Sequence, residues 1–172
     1  ENVKGMRNAI RMAHQSGLRV MLVPHLWVES GEWRALIDPK TDAGWDRWKK
    51  SYGAFLMRWA KVAEEEHVDL LSVGVELRTW VTTTRAPSFS ALIHDVRALY
   101  KGPITYSANW DDVSDTVILG ELDVIGINAP HTVQSLLCLA GLCRPGGAIP
   151  TQDAATVAHR PNGLRVDPRD VA

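Results

Sequence analysis

The ten residues Val68-Asp69-Leu70-Leu71-Ser72-Val73-Gly74-Val75-Glu76-Leu77 decide the architecture, because an almost unbroken apolar run ends in one carboxylate. A run this short and this rich in Val and Leu reads as a strand buried on both faces, the kind that lies in a parallel sheet between helix layers. Glu76 then sits at its C-terminal end. In parallel α/β architectures, reactive groups collect at that end, where loops open onto a crevice or barrel mouth above rigid strands.

Upstream, Val3, Met6, Ile10 and Ala13 fall at helical spacing and Gly17 supplies a stop. Residues 18–24 form a first buried strand that delivers His25, Leu26 and Trp27 to its end, followed by a polar loop to Pro39 long enough to be functional. Thr41 or Asp42 caps the next helix, in which Trp45, Trp48, Tyr52, Phe55, Leu56, Trp59 and Val62 recur at three- and four-residue steps and read as core. Glu64, Glu65 and Glu66 read as a solvated helix end. Downstream, residues 78–87 are a polar loop, and Ser88 caps a helix with the apolar stripe Phe89, Leu92, Ile93, Val96 and Leu99. Residues 104–108 form a third strand delivering Asn109, Trp110, Asp111 and Asp112, and residues 122–127 a fourth ending in Asn128. Strands separated by helical patterns imply right-handed crossovers and a parallel sheet.

Composition narrows the partners. Nineteen lysines and arginines against 20 aspartates and glutamates create no field that favours nucleic acid or an anionic membrane. The longest apolar stretch near Cys138 and Cys143, residues 133–142, is interrupted by Gln134 and Ser135 and too short to span a bilayer. Cys138 and Cys143 lack metal-ligand spacing and read as ordinary thiols. The chain opens on Glu1 directly in a helical pattern, so its natural start is expected upstream, and no localisation follows. Residues 130–172 are rich in Pro and Gly, hold no aromatic residue and read as an irregular, disordered tail after a partial domain at 1–129.

A glutamate at a strand end can serve as general acid/base when its surroundings tune its pKa. The competing reading pairs Glu76 with a cation such as Arg78 or Arg85, or has it cap a loop; Gly74, which would let a ligand or another backbone come close, favours a site. His25 is open to three readings: donor to a ligand, metal ligand, or packed side chain. Metal chemistry would need Glu76, Asp111 or Asp112 beside it, and no metal or other cofactor is expected. Asn109 and Asn128 offer uncharged donors and acceptors, and Trp27 and Trp110 offer stacking faces. Neutral hydrogen-bonding groups, aromatic platforms and one carboxyl group suit a carbohydrate better than a phosphate.

Segments 20–27 (Val-Met-Leu-Val-Pro-His-Leu-Trp), 68–77, 104–111 (Ile-Thr-Tyr-Ser-Ala-Asn-Trp-Asp) and 122–129 (Leu-Asp-Val-Ile-Gly-Ile-Asn-Ala) resemble consecutive strands of the TIM-barrel glycoside hydrolases of family 113, a retaining clan A family that includes β-mannanases. The resemblance covers roughly residues 5–129 and implies strands three to six of an eight-stranded barrel. It implies that Glu76 is the acid/base carboxyl group and that His25, Trp27, Asn109, Trp110 and Asn128 contact sugar. Val75 stands where asparagine is common in the clan. A retaining glycosidase also needs a nucleophilic carboxylate about 5 Å from the acid, and a full barrel needs about 250 residues. No strand-like run ending in glutamate follows Asn128, and Asp111, Asp112 and Glu121 do not match the family's nucleophile. The expectation is therefore an incomplete barrel with impaired hydrolysis, exposing parallel edges that invite self-association. A non-catalytic carbohydrate-binding remnant and a metal-dependent α/β hydrolase are the alternatives.

Overall fold

The computed structural model describes residues 3–128. Its elements follow the order read from the sequence: α1 (Val3–Gln15), β1 (Met21–Leu22), α2 (Asp42–Glu65), β2 (Leu70–Val75), α3 (Arg78–Val81), α4 (Ala86–Leu99), β3 (Ile104–Asn109) and β4 (Val124–Asn128), with short 3-10 turns between β1 and α2 and between β3 and β4. The strands pair in parallel in the order β1-β2-β3-β4, so sequential strands are neighbours and their C-terminal ends share one edge. The fold is thus α/β, with parallel strands alternating with helices. The tail at 130–172, with Cys138 and Cys143, lies outside the described residues.

Helix α2 starts where the Thr41 hydroxyl accepts the Gly44 N–H at 3.1 Å, satisfying one of the free amides of a helix start. Its apolar stripe packs inward: Trp45, Trp48, Tyr52, Phe55, Leu56, Trp59 and Val62 are all buried. The core of the unit is largely aromatic, with Trp80 edge-on to Phe89 at 5.1 Å and to Tyr52 at 5.4 Å. Such pairs add about 0.5–1.5 kcal/mol each beyond area burial.

Five local readings need correction. Residues 78–87 are not all polar loop, since α3 occupies Arg78–Val81 and buries Trp80 and Val81. Gly74 leaves room for protein rather than ligand, since a Cβ there would stand 3.0 Å from Tyr106 Cε2 and 3.1 Å from the Tyr52 hydroxyl. Glu66 is buried rather than solvated: it accepts from Arg11 Nε at 2.6 Å and from Arg7 Nη1 at 2.8 Å, tying α1 to the end of α2. Those bonds, from Arg11 first, hold its carboxyl down at about 2. Helix α4 begins at Ala86, before Ser88, whose hydroxyl instead donates to Arg85 O at 2.7 Å and accepts from Trp80 Nε1 at 2.8 Å. Strand β1 is only two residues long, because Pro24 brings no N–H to extend the ladder.

At the opposite edge of the sheet one device appears twice. Asp69, just before β2, accepts the Val20 N–H at 2.7 Å on its carboxylate and donates its own N–H to Val20 O at 3.1 Å. Asp123, just before β4, does the same with Ile104, at 2.8 Å and 3.1 Å. Each strand entry is latched to the preceding strand.

Candidate active site

The end of β2 is shaped by an irregularity in register. Leu71 and Ser72 pair with Ile104 and Thr105, but Val75 pairs with Ser107, so β2 carries one residue more than β3 over that interval. An inserted residue re-aims the side chains that follow it. Glu76, next in the chain, takes φ +51°, a left-handed conformation that a non-glycine residue enters at about 1–3 kcal/mol. Its backbone is pinned on both sides: the Glu76 N–H donates to Ser107 O at 2.9 Å, and the Leu77 N–H donates to the Tyr106 hydroxyl at 2.6 Å.

Three donors converge on the carboxylate, whose side chain is 12% exposed. Asn128 Nδ2 donates to Oε1 at 2.9 Å, the Trp33 indole N–H donates to Oε2 at 2.8 Å, and Arg34 Nη2 lies 3.0 Å from the same Oε2. Burial pushes the carboxyl pKa up, but the bonds from Trp33 and Asn128 and the positive charge of Arg34 outweigh it and leave Glu76 below the ordinary glutamate range. Burial pushes His25 below its ordinary value; Arg34 reinforces that and Glu76 opposes it. His25 Nδ1 and Arg34 Nε are buried with no hydrogen-bond partner among the described residues.

A further layer holds this shell. The Arg78 guanidinium lies 5.4 Å over the Trp33 ring, and Arg78 pairs with Asp112 at 2.8 Å and Asp111 at 2.9 Å. Asn109 Nδ2 donates to Asp111 at 2.8 Å. The cation paired with Glu76 is thus Arg34, while Arg78 serves the two aspartates and Arg85 pairs with Asp42 at 2.7 Å.

Of the residues singled out by sequence, Asn128 touches Glu76 and His25 lies within its electrostatic reach. Trp27 is 56% exposed with its ring 5.5 Å from that of His25, and Trp110 is 46% exposed with its backbone N–H on Asn128 O at 2.9 Å. Asn109 is turned to Asp111. Sequence reasoning did not reach Trp33 or Arg34, and it offered Arg78 only as a partner for Glu76, whereas Arg78 pairs with Asp111 and Asp112. The available signal for the first two was an adjacent Trp-Arg pair just after Gly31 in a long loop. Among the described residues no three His, Cys, Asp or Glu side chains cluster closely enough to hold a metal ion.

Parallel strands alternating with helices, with a donor-wrapped carboxylate and exposed indoles at their C-terminal edge, define a segment of a (β/α)-type scaffold. The family assignment is more specific. The model of Glycoside Hydrolase Family 113 matches residues 2–137, and the chain belongs to that family. It is similar to a GH113 β-1,4-mannanase solved as a complex, with 29% identity and a TM-score of 0.68 over 73% of this chain and 42% of that one. A second GH113 β-1,4-mannanase structure matches with 25% identity and a TM-score of 0.71, over 83% of this chain and 50% of that one. The fold is shared as well with the GH113 β-mannanase AaManA from Alicyclobacillus acidocaldarius in complex with ManMIm, at 24% identity, TM-score 0.71, and coverage of 81% and 48%. The chain spans about half the length of these solved structures or less. No curated protein matches it.

Proposed function

We infer that the chain carries the acid/base and sugar-recognition portion of a retaining hydrolase of β-linked mannan. The observation that carries this reading is Glu76 itself: a carboxylate at the C-terminal end of a parallel strand, gripped by Asn128 from β4 and by Trp33 and Arg34, in a chain of family 113. Glu76 would protonate the leaving glycosidic oxygen and later activate water. The exposed faces of Trp27 and Trp110 would stack on sugar rings, and His25, Asn109 and Asn128 would meet hydroxyl groups. The unpartnered His25 Nδ1 and Arg34 Nε are further places for a hydroxyl to bond.

Double displacement requires a second carboxylate about 5 Å from the first. Asp111 and Asp112 are committed to Arg78, and no glutamate follows Glu121 in the sequence. The 172 residues are therefore proposed to bind β-mannan oligosaccharides and to turn them over poorly, the nucleophile being supplied from outside them. Self-association through the exposed strand β4, where Ile125 and Ile127 face solvent, belongs to the same reading.

The test is calorimetric binding of mannohexaose together with reducing-sugar release, on the chain as it stands and on Glu76→Gln. Binding by both with negligible release supports the proposal. Absence of binding overturns the carbohydrate reading. Robust release abolished by Glu76→Gln would instead uphold Glu76 as acid/base and remove the claim that a second carboxylate is lacking.

A further inference from the structure

The neighbours of Glu76 are all of one kind. Asn128 on β4, Trp33 and Arg34 on the segment between β1 and α2, and His25 beyond β1 are the groups that face its carboxyl group or act on it through charge. Three of them present N–H groups to its two oxygens, and Asn128, the one of these three that also carries an acceptor oxygen, presents its NH2. An amide facing a carboxylate must turn its NH2 toward it, an indole has no acceptor, and a guanidinium has none either. Adding a proton to the carboxyl group would weaken all of these bonds, because a neutral carboxyl group is a poorer acceptor than a carboxylate. The next charged groups outward, Arg78 with Asp111 and Asp112, are paired with one another and reach the carboxylate only through the Trp33 ring.

The three donors are not equally fixed. Asn128 ends a strand paired along its length with β3, and the Arg34 side chain is 16% exposed within a 3-10 turn. Trp33 lies on irregular backbone just ahead of that turn and is 36% exposed, and Gly31, two residues earlier, has open space around it and φ +81°. The indole is the donor that can leave at least expense.

We propose that Trp33 and Arg34 are positioning residues that keep the Glu76 carboxyl group ionised and oriented, and that withdrawal of the Trp33 indole from Oε2 favours its protonation. This rests on the reading of Glu76 as an acid/base group and adds the control of its protonation. In the free protein Glu76 stands as a base; a ligand oxygen arriving at Oε2 displaces the indole and converts the site to one that can hold a proton to donate.

The test is the titration of Glu76 in the full 172-residue chain carrying ¹³Cδ-labelled glutamate, followed by NMR, with Glu76→Gln used to assign the resonance. The expected midpoint of the unmodified protein lies below the ordinary glutamate range. It rises in Trp33→Phe, rises further in Arg34→Met, and returns toward the starting value in Arg34→Lys. A midpoint at or above the ordinary range in the unmodified chain overturns the proposal without any variant having to fold. So does a midpoint unmoved in folded Trp33→Phe and Arg34→Met. Mannohexaose should also shift the Trp33 indole N–H resonance. A depressed midpoint that responds to the variants, in a chain that binds no mannohexaose, would uphold the positioning role and sink the carbohydrate reading instead.

Discussion

Replacing Tyr106 with phenylalanine removes a single oxygen from the interior, and the structure says what is left behind. That oxygen accepts the Leu77 N–H at 2.6 Å, Tyr106 is 1% exposed and Leu77 3%, so no water can take over. An orphaned buried N–H costs about 1–3 kcal/mol. Tyr52→Phe is the matched control: its hydroxyl donates to Val73 O at 2.8 Å from a fully buried position, and its loss leaves a carbonyl, which tolerates under-satisfaction better than an amide does. About 0.5–1.5 kcal/mol is expected there. For a chain of this size each kcal/mol corresponds to a fall in Tm of about 2–4 °C. Urea titrations of the two variants, read by tryptophan fluorescence, should therefore rank Tyr106→Phe as the more damaging. Because Leu77 follows Glu76, Tyr106→Phe should also broaden the Glu76 carboxyl resonance, whereas Tyr52→Phe should not. Stability within about 0.5 kcal/mol of the parent for Tyr106→Phe, or the reverse ranking, would refute the idea that this phenol anchors the end of β2.

Two other outcomes follow from packing and charge. Gly74→Ala sets a methyl group 3.0 Å from the Tyr106 ring and 3.1 Å from the Tyr52 hydroxyl, so it should destabilise by about 1–3 kcal/mol, and thermal unfolding equal to the parent would show that the rings yield freely. Glu66 has its folded pKa lowered to about 2 by Arg11 and Arg7, so its contribution is present above the ordinary glutamate range and is lost as pH falls toward 2. Asp69, lowered chiefly by the Val20 N–H, and Asp123, lowered chiefly by the Ile104 N–H, act in the same direction. Circular dichroism melts between pH 6 and 2.5 should show Tm falling with acid. Glu66→Gln should melt lower at pH 6 and show a shallower slope; an unchanged slope would remove Glu66 from the acid response.

The strands were legible because a continuous apolar run bounded by Gly, Pro or a polar cluster has few other fates, and each of the four runs became a strand. The aromatic stripe of α2 was legible for the same reason, since its spacing alone assigns a buried face. Glu76 and Asn128 were found because both end a strand. What remained hidden depended on partners far along the chain: Trp33 meets Glu76 across 43 positions, and Glu66 meets Arg11 across 55. Nothing local distinguishes a glutamate that will meet two arginines from one that will meet water. The inserted residue in β2 was equally invisible, because it is a mismatch between two strands and belongs to neither alone.

The latches of Asp69 and Asp123 bear on how such a chain comes together as it is made. Each closes onto a residue already synthesised, Val20 for the first and Ile104 for the second, and each needs only the strand before it. Strands β2 and β4, as they emerge from the ribosome, thus each find a docking point on the previous strand without waiting for later sequence. The sheet can grow from its first strand outward, which limits the time an unpaired edge is left open to another nascent chain.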